Sequence, residues 1–378
     1  MRNGLQCRLS GWRAVTAAMA LAGVLGWVSA DAAPKRFDPF TVEGVSVDVT
    51  AASAAAARDQ AIVEGEQQAF RVLLERLTLA NDRARLPKVS AARLPELVQG
   101  FEVAHERRSG VRYLADYTVH FRAEAVRQQL RQAGVPFAET ASKPLVVLPV
   151  LMQGDHPLLW DDPNPWRDAW LHAKPHGGLV PFIQPLGELE DVTAIDAEAA
   201  VHGAADKLQA IAHRYGDADV VVTEATLKPG ASYALDVSTT RFAPGQAGNE
   251  QTWVLSVPAS PGEGDGELMA RAVTEVIGQV EEAWKAANTL DFRQSGTLIA
   301  RVPAASLRDW LQVRDRLAGV PAVRASRLVS LGRDGARVEL RYVGDPGQLR
   351  VALAQRDLDL EGGEPDWVLQ PRSAAETR

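Results

Sequence analysis

The chain has 378 residues, 46% of them hydrophobic and 24% charged, with a formal charge of −7 and a single cysteine, Cys7. That composition suits a globular protein with room for two or three domains, each with its own core. The acidic balance argues against a net field that would hold nucleic acid or anionic lipid, and a lone cysteine excludes an internal disulfide.

Residues 1–30 read as a Sec-type signal peptide. Arg2, Arg8 and Arg13 come first, followed by an apolar run from Ala14 through Met19, Leu21, Val24 and Leu25 to Val28. Small residues close it at Val28-Ser29-Ala30 and Ala30-Asp31-Ala32. A run of about fifteen residues is short for a membrane span, which needs roughly twenty; an uncleaved anchor is the alternative. No cysteine stands at the cleavage site to take a lipid. Cleavage would remove Cys7 and three arginines, taking the formal charge from −7 to −10 and leaving a soluble, thiol-free periplasmic protein without Cys-ligated metal.

Residues 40–50 alternate from Val45 to Val49 and predict a strand. Ser53 is an N-cap for a helix to about Leu77, whose buried face is Ala57, Ala61, Gly65, Ala69 and Leu73, with Ile62, Phe70 and Leu77 alongside. So small a stripe suits a helix lying close on a sheet. Pro87 and Pro95 then break the pattern. Phe101–Glu106 and Val111–Phe121 predict two strands, with Leu114 interrupting the alternation of the second. Arg107, Arg108 and Arg112 read as a solvated hairpin edge. Ala123, Val126 and Leu130 mark a short helix closed by Gly134 and Pro136.

Leu145–Leu151 is a continuous apolar run, as in a strand buried on both faces. Val201, Ala204, Ala205, Leu208, Ile211, Ala212 and Tyr215 share one helix face, and Gly216 stops that helix. A strand begins at Asp219, and alternating stretches at Ser232–Thr240 and Thr252–Val257 predict a meander. A helix from about Gly266 to Ala287 turns Met269, Val273, Val276, Val280 and Trp284 inward. Beyond it, Thr297–Val302 is a strand, Ser306 and Asp309 form a capping-box-like start, and Val323–Leu331 with Ala336–Tyr342 form a hairpin. Asp345-Pro346 opens a helix, and Trp367–Leu369 is a closing strand. The expected fold is a multidomain α+β and α/β architecture. It has an N-terminal βαββα module over 38–140, a central mixed α/β domain over 143–290, and a ferredoxin-like βαββαβ module over 295–372.

Catalytic motifs are sparse. His172 and His176 have helical zinc-ligand spacing, but Pro175 and Gly177-Gly178 break the helix, so no metal site is assigned. His202 and His213 lie off their helix's apolar stripe, and His105 and His120 sit in strands. No G-x-S-x-G elbow occurs, and the glycines at 262–266 lack a P-loop's Gly-Lys-Ser/Thr ending. Asp161 and Asp162 are adjacent, which does not show the spacing of a glycosidase pair. No cofactor is implied. The candidate binding residues are Trp160, Asp161, Asp162, Trp166 and Trp170, since tryptophans beside carboxylates can stack on a sugar or grip a peptide. The competing reading packs Trp166 and Trp170, four apart, onto the central sheet.

The N-terminus, Val45-Ser-Val-Asp-Val49 with its Ala-rich helix, the Leu145–Leu151 strand with its three tryptophans, and Ala212-His-Arg-Tyr-Gly-Asp-Ala-Asp219 together resemble bacterial domain-of-unknown-function family 2066. The resemblance spans most of residues 40–370. It implies an envelope protein of no established activity and carries over no functional residue. More distantly, the first two modules are similar to domains of the flagellar T-ring and of the Tol-system periplasmic protein, which implies assembly with other proteins. The leading expectation is a non-enzymatic periplasmic binding or scaffolding protein with an envelope protein partner. The alternative is a periplasmic enzyme or carbohydrate-binding protein using residues 155–176.

Overall fold

The alternation of Val45, Val47 and Val49 does what its period requires. In the computed structural model they are buried on one face of β1 (Thr41–Thr50) while Ser46, Asp48 and Thr50 face out. The structure describes residues 37–173, 177–229, 233–243, 250–290, 294–304, 306–332 and 335–372. The expected signal at 1–30 lies outside them. No helix among them is long and apolar enough to cross a membrane.

Helix α1 (Ala54–Leu77) starts where Ser53 caps it, its hydroxyl accepting from the Ala56 N–H at 3.2 Å. After the short helix α2 (Leu94–Leu97), β2 (Val98–Arg108) and β3 (Arg112–Phe121) pair antiparallel, giving the order β1-β3-β2. Helix α3 (Ala123–Gln132) follows. The alternation of β3 is unbroken, since Tyr113, Ala115, Tyr117, Val119 and Phe121 are buried and Leu114 lies on the other face. Helix α1 packs on β1 and β3 through its small stripe. A Cβ on Gly65 would fall 2.5 Å from the Tyr117 ring and 3.2 Å from Val47. Gly65→Ala is therefore expected to lose about 1–3 kcal/mol of stability through overpacking, despite alanine's better helix propensity of about 1 kcal/mol. Urea unfolding that showed a gain would refute the close approach.

The central sheet contains β4 (Leu145–Gln153), β5 (His156–Leu158), β6 (Phe182–Ile183), β7 (Asp219–Lys228), β8 (Ala234–Phe242) and β9 (Gln251–Pro258), in the order β5-β4-β7-β8-β9 with β6 beside β4. β4 runs parallel to β6 and β7, and the other pairs are antiparallel. Leu145 to Leu151 are all buried because helices cover both faces. On one face lie α4 (Pro165–His172) and α8 (Asp265–Asn288), the latter turning Met269, Val273, Val276, Val280 and Trp284 inward as its spacing predicts. On the other lie α5 (Leu189–Ala194), α6 (Ala197–Val201) and α7 (Ala205–Arg214). The single helix expected around 201–215 is two, because Gly203 turns the chain at φ +63° between α6 and α7.

The third sheet holds β10 (Ser295–Val302), β11 (Val323–Gly332), β12 (Gly335–Val343), β13 (Leu358–Gly363) and β14 (Asp366–Pro371). Helices α9 (Leu307–Leu317) and α10 (Pro346–Ala354) lie between them in sequence. The capping box forms, with Ser306 N–H donating to Asp309 at 2.9 Å and Asp309 N–H to Ser306 at 3.3 Å. The single closing strand of the expected split βαβ order is corrected to a hairpin. β14 enters beside β10 and parallel to it, and β13 takes the edge, giving β11-β12-β10-β14-β13. Gly362-Gly363-Glu364-Pro365 disguises the hairpin as loop, although Gly362, at φ +81°, lies where a Cβ would meet the Asp366 carbonyl at 2.3 Å.

From Asp38 onward the chain forms one compact unit. Residues between α3 and β4 are threaded through its interior: Val135, Phe137, Ala138, Glu139 and Thr140 are buried. Ala138 N–H donates to the Leu77 carbonyl at 2.8 Å, Leu290 N–H to Phe137 at 3.1 Å, and the Trp284 indole to Thr140 at 2.8 Å. Lys285 of α8 places its ammonium at the C-terminus of α1, donating to the Glu75 and Thr78 carbonyls at 3.1 and 2.8 Å. A cation there completes the helix dipole.

Candidate binding cleft

The tryptophan segment is built around Asn164, which caps α4 by accepting from Arg167 N–H at 3.0 Å. Helix α4 then turns Trp166 and Trp170 fully into the core against Val147, Leu235, Leu268 and Met269. Their rings meet edge to face, 6.1 Å between centroids at 87°. The Trp166 indole donates to the Thr223 carbonyl and hydroxyl at 3.0 and 3.1 Å. These two rings therefore pack the sheet and present no face to a ligand. Trp160 is half-buried, its indole spent on the Ile195 carbonyl at 2.8 Å. Asp161 and Asp162 are exposed, and Asp162 pairs with Arg167 at 2.5 Å. His172 is exposed, with Nδ1 2.8 Å from the Asp168 carbonyl, and His176 lies outside the described residues. Among the described residues no three His, Cys, Asp or Glu groups gather as metal ligands. His105 and His120 sit on the solvated face of the first sheet, beside Asp116 at 2.9 Å and Thr41 at 2.9 Å.

The site that sequence reasoning missed is a cleft of about 590 Å³ at the start of the parallel strands. Its walls come from widely separated stretches: Ser142, Lys143 and Leu145; Asp219 of β7; Arg241 of β8; Gln251, Thr252 and Trp253 of β9; Val280, Trp284 and Asn288 of α8; Val351 and Gln355 of α10; and Arg372 beyond β14. The volume is that of a small-molecule or peptide-end pocket.

Three cations line it, each steadied by an aspartate. Arg241 Nε donates to Asp219 at 2.9 Å, with the guanidinium 5.7 Å from the centre of the Trp284 ring. Arg372 uses Nε and Nη2 on Asp359, the latter at 2.7 Å. Lys143 Nζ pairs with Asp357 at 2.5 Å, while its backbone N–H donates to Gln355 at 2.7 Å. The hydrogen bond to Asp359, with the charges of Asp359, Asp357 and Asp219, holds Arg372 above its ordinary pKa. Asp219, the partner of Arg241, thus acts on Arg372 as well. Of the three aspartates, only Asp219 lines the cleft itself, so the lining presents three cations beside one acid. Chemically, it can take a carboxylate or similar anion beside an apolar wall of Trp253, Val280 and Val351.

Comparison with known proteins adds little to this geometry. Residues 40–139, which hold the first sheet and α1 to α3, match the model of a domain of unknown function (DUF8605). That is consistent with an uncharacterised family, as the resemblance implied, but the match is not to family 2066. No curated protein matches the chain. Among solved structures the chain is similar to a formyltetrahydrofolate deformylase from Pseudomonas putida KT2440. The identity is 12%, the cover is 64% of this chain and 95% of that one, and the TM-score is 0.16, too low to carry an argument.

Proposed function

We propose that this chain is an exported, non-enzymatic binding protein of the cell envelope, related to domain-of-unknown-function family 2066 and composed of modules over 38–140, 143–290 and 295–372. It holds an envelope partner at the cleft. The observation that carries the reading is that three cations, each held by an aspartate, and an aromatic wall meet in one recess. The Ser142 hydroxyl donates to the Lys143 carbonyl at 2.7 Å and Thr252 bonds Thr240 at 3.1 Å. Such groups are poised to receive an anion rather than to move a proton. The cleft also opens at the amino ends of β4 and β7, where Leu145 and Asp219 begin their strands.

The test is photo-crosslinking in the producing cell. Benzoylphenylalanine in place of Val351, which is 38% exposed at the cleft, is expected to give a discrete adduct with an envelope protein. The same group at Ile299, 48% exposed and outside the cleft, should not. No adduct from Val351, or the same adducts from both positions, would overturn the reading.

A further inference from the structure

We propose that the cleft is the end stop of a strand-addition site. An extended C-terminal peptide of a partner pairs antiparallel with β9 and brings its terminal carboxylate to the cleft, toward Arg241 and Arg372. The proposal rests on the reading of the cleft as a binding site and specifies what enters it.

The first argument is the state of the sheet edges. An edge strand presents unpaired N–H and C=O groups, and proteins protect such edges with charges, bulges, proline or brevity. Five edges here are protected in that way. β1 has a register shift between Val42 and Val45. β2 has two shifts and carries Glu102, Glu106, Arg107 and Arg108. β11 has two shifts with Arg324 and Arg327, β13 holds Asp359 and Glu361 and ends in two glycines, and β5 is three residues long with a central proline.

β9 is different. Its eight residues, Gln-Thr-Trp-Val-Leu-Ser-Val-Pro, include no charge and pair with β8 from Gln251 to Pro258 without a shift. No described strand covers its other side. Val254 is 72% exposed, with Thr252 and Ser256 exposed beside it. Only Pro258, the last residue, interrupts the edge. A straight, uncharged, β-prone edge is the template on which extended peptides add.

The second argument is polarity. β9 starts at the cleft, where Gln251, Thr252 and Trp253 are lining residues, and runs away from it. A strand added antiparallel runs the other way and delivers its carboxyl end to the cleft. A parallel strand would bring an ammonium group to the same cationic end. Arg241 and Arg372 each commit Nε and Nη2 to an aspartate, leaving the two N–H groups of Nη1 on each. A carboxylate accepts from two such donors. Trp253 shares the α8 face of the sheet with Arg241 and walls the space that the last side chain would fill, which favours an apolar final residue.

The experiment uses the purified exported chain and a peptide library displayed with free C-termini. Selected peptides are measured by fluorescence polarisation as free acid, as C-terminal amide, and with single backbone N-methyl groups. The free acid is expected to bind at least about tenfold more tightly than the amide, a difference of about 1.4 kcal/mol. N-methylation should weaken binding at every second position, the signature of strand pairing. Arg241→Gln should reduce the acid to the amide's affinity without changing the amide, and Arg372→Gln repeats the test if the first variant is unstable. Equal binding of acid and amide, or no alternation, overturns the proposal. If no peptide is selected while Val351 still captures an envelope protein, the proposal falls and the binding reading stands. If both fail, both fall.

Discussion

Glu139→Ala is expected to lower the free energy of unfolding by about 3–5 kcal/mol, the usual result of removing one member of a buried ion pair. Glu139 has no exposed surface, and its Oε2 accepts from Arg127 Nε of α3 at 2.7 Å. Its Oε1 lies 3.7 Å from Arg324 of β11 and has no hydrogen-bond partner. Removing the carboxylate takes away the negative charge that lies between the two guanidiniums, 19% and 31% exposed. Arg127 keeps Glu124, at 3.4 Å and largely in water, and the face of the Phe40 ring at 5.2 Å, neither of which replaces a buried carboxylate. Because the residue ties α3 to β11, chemical unfolding followed by fluorescence and by circular dichroism should shift together; a loss under 1 kcal/mol would show that the pair holds nothing.

The same residue gives stability a pH dependence. Burial pushes the Glu139 carboxyl above its ordinary 4.5, against the pull of Arg127 and Arg324. Between 4.5 and that raised value the folded state binds more protons than the unfolded one, so stability falls as pH rises through the window. Glu139→Gln does not titrate. Its stability relative to the parent should therefore increase from pH 4.5 upward, and parallel curves would remove the argument.

The elements that were legible in the sequence were those whose pattern is local. The spacing of four in Ala57, Ala61, Gly65 and Ala69 foretold a helix pressed onto a sheet, and Tyr117 is the ring it presses against. The unbroken run Leu145–Leu151 foretold a strand covered on both faces. Gly203 and the Gly362-Gly363 pair were less readable, because one glycine can sit inside a helix or end it, and two can be a loop or the end of a strand. The cleft had no local signature at all. Lys143, Asp219, Arg241 and Arg372 are brought together by topology, and Asp357 and Asp359, which orient Lys143 and Arg372, stand elsewhere again. The nearest available signal was the uncharged alternation of Thr252–Val257, whose absence of edge protection carries meaning only once β9 is known to be an edge.

Trp166→Ala is expected to cost about 3–5 kcal/mol, as truncation of a buried aromatic does when the space cannot collapse. The ring is fully buried between β7 and α8, so its neighbours Trp170, Leu268 and Met269 lose their packing partner. Thr223, itself buried on β7, loses the indole N–H that its carbonyl and hydroxyl share. Trp166→Phe separates the two contributions: it keeps most of the ring contact and should lose about 1–2 kcal/mol, chiefly the hydrogen bond. Asp161→Asn, at an exposed position in the same segment, should stay within about 0.5 kcal/mol of the parent. The contrast decides between the two roles a tryptophan-rich segment can have. A ligand-stacking Trp166 would be replaceable at little cost to folding and at large cost to binding. A core Trp166 would show the reverse, and a urea midpoint unchanged by Trp166→Ala would return the segment to the list of binding sites.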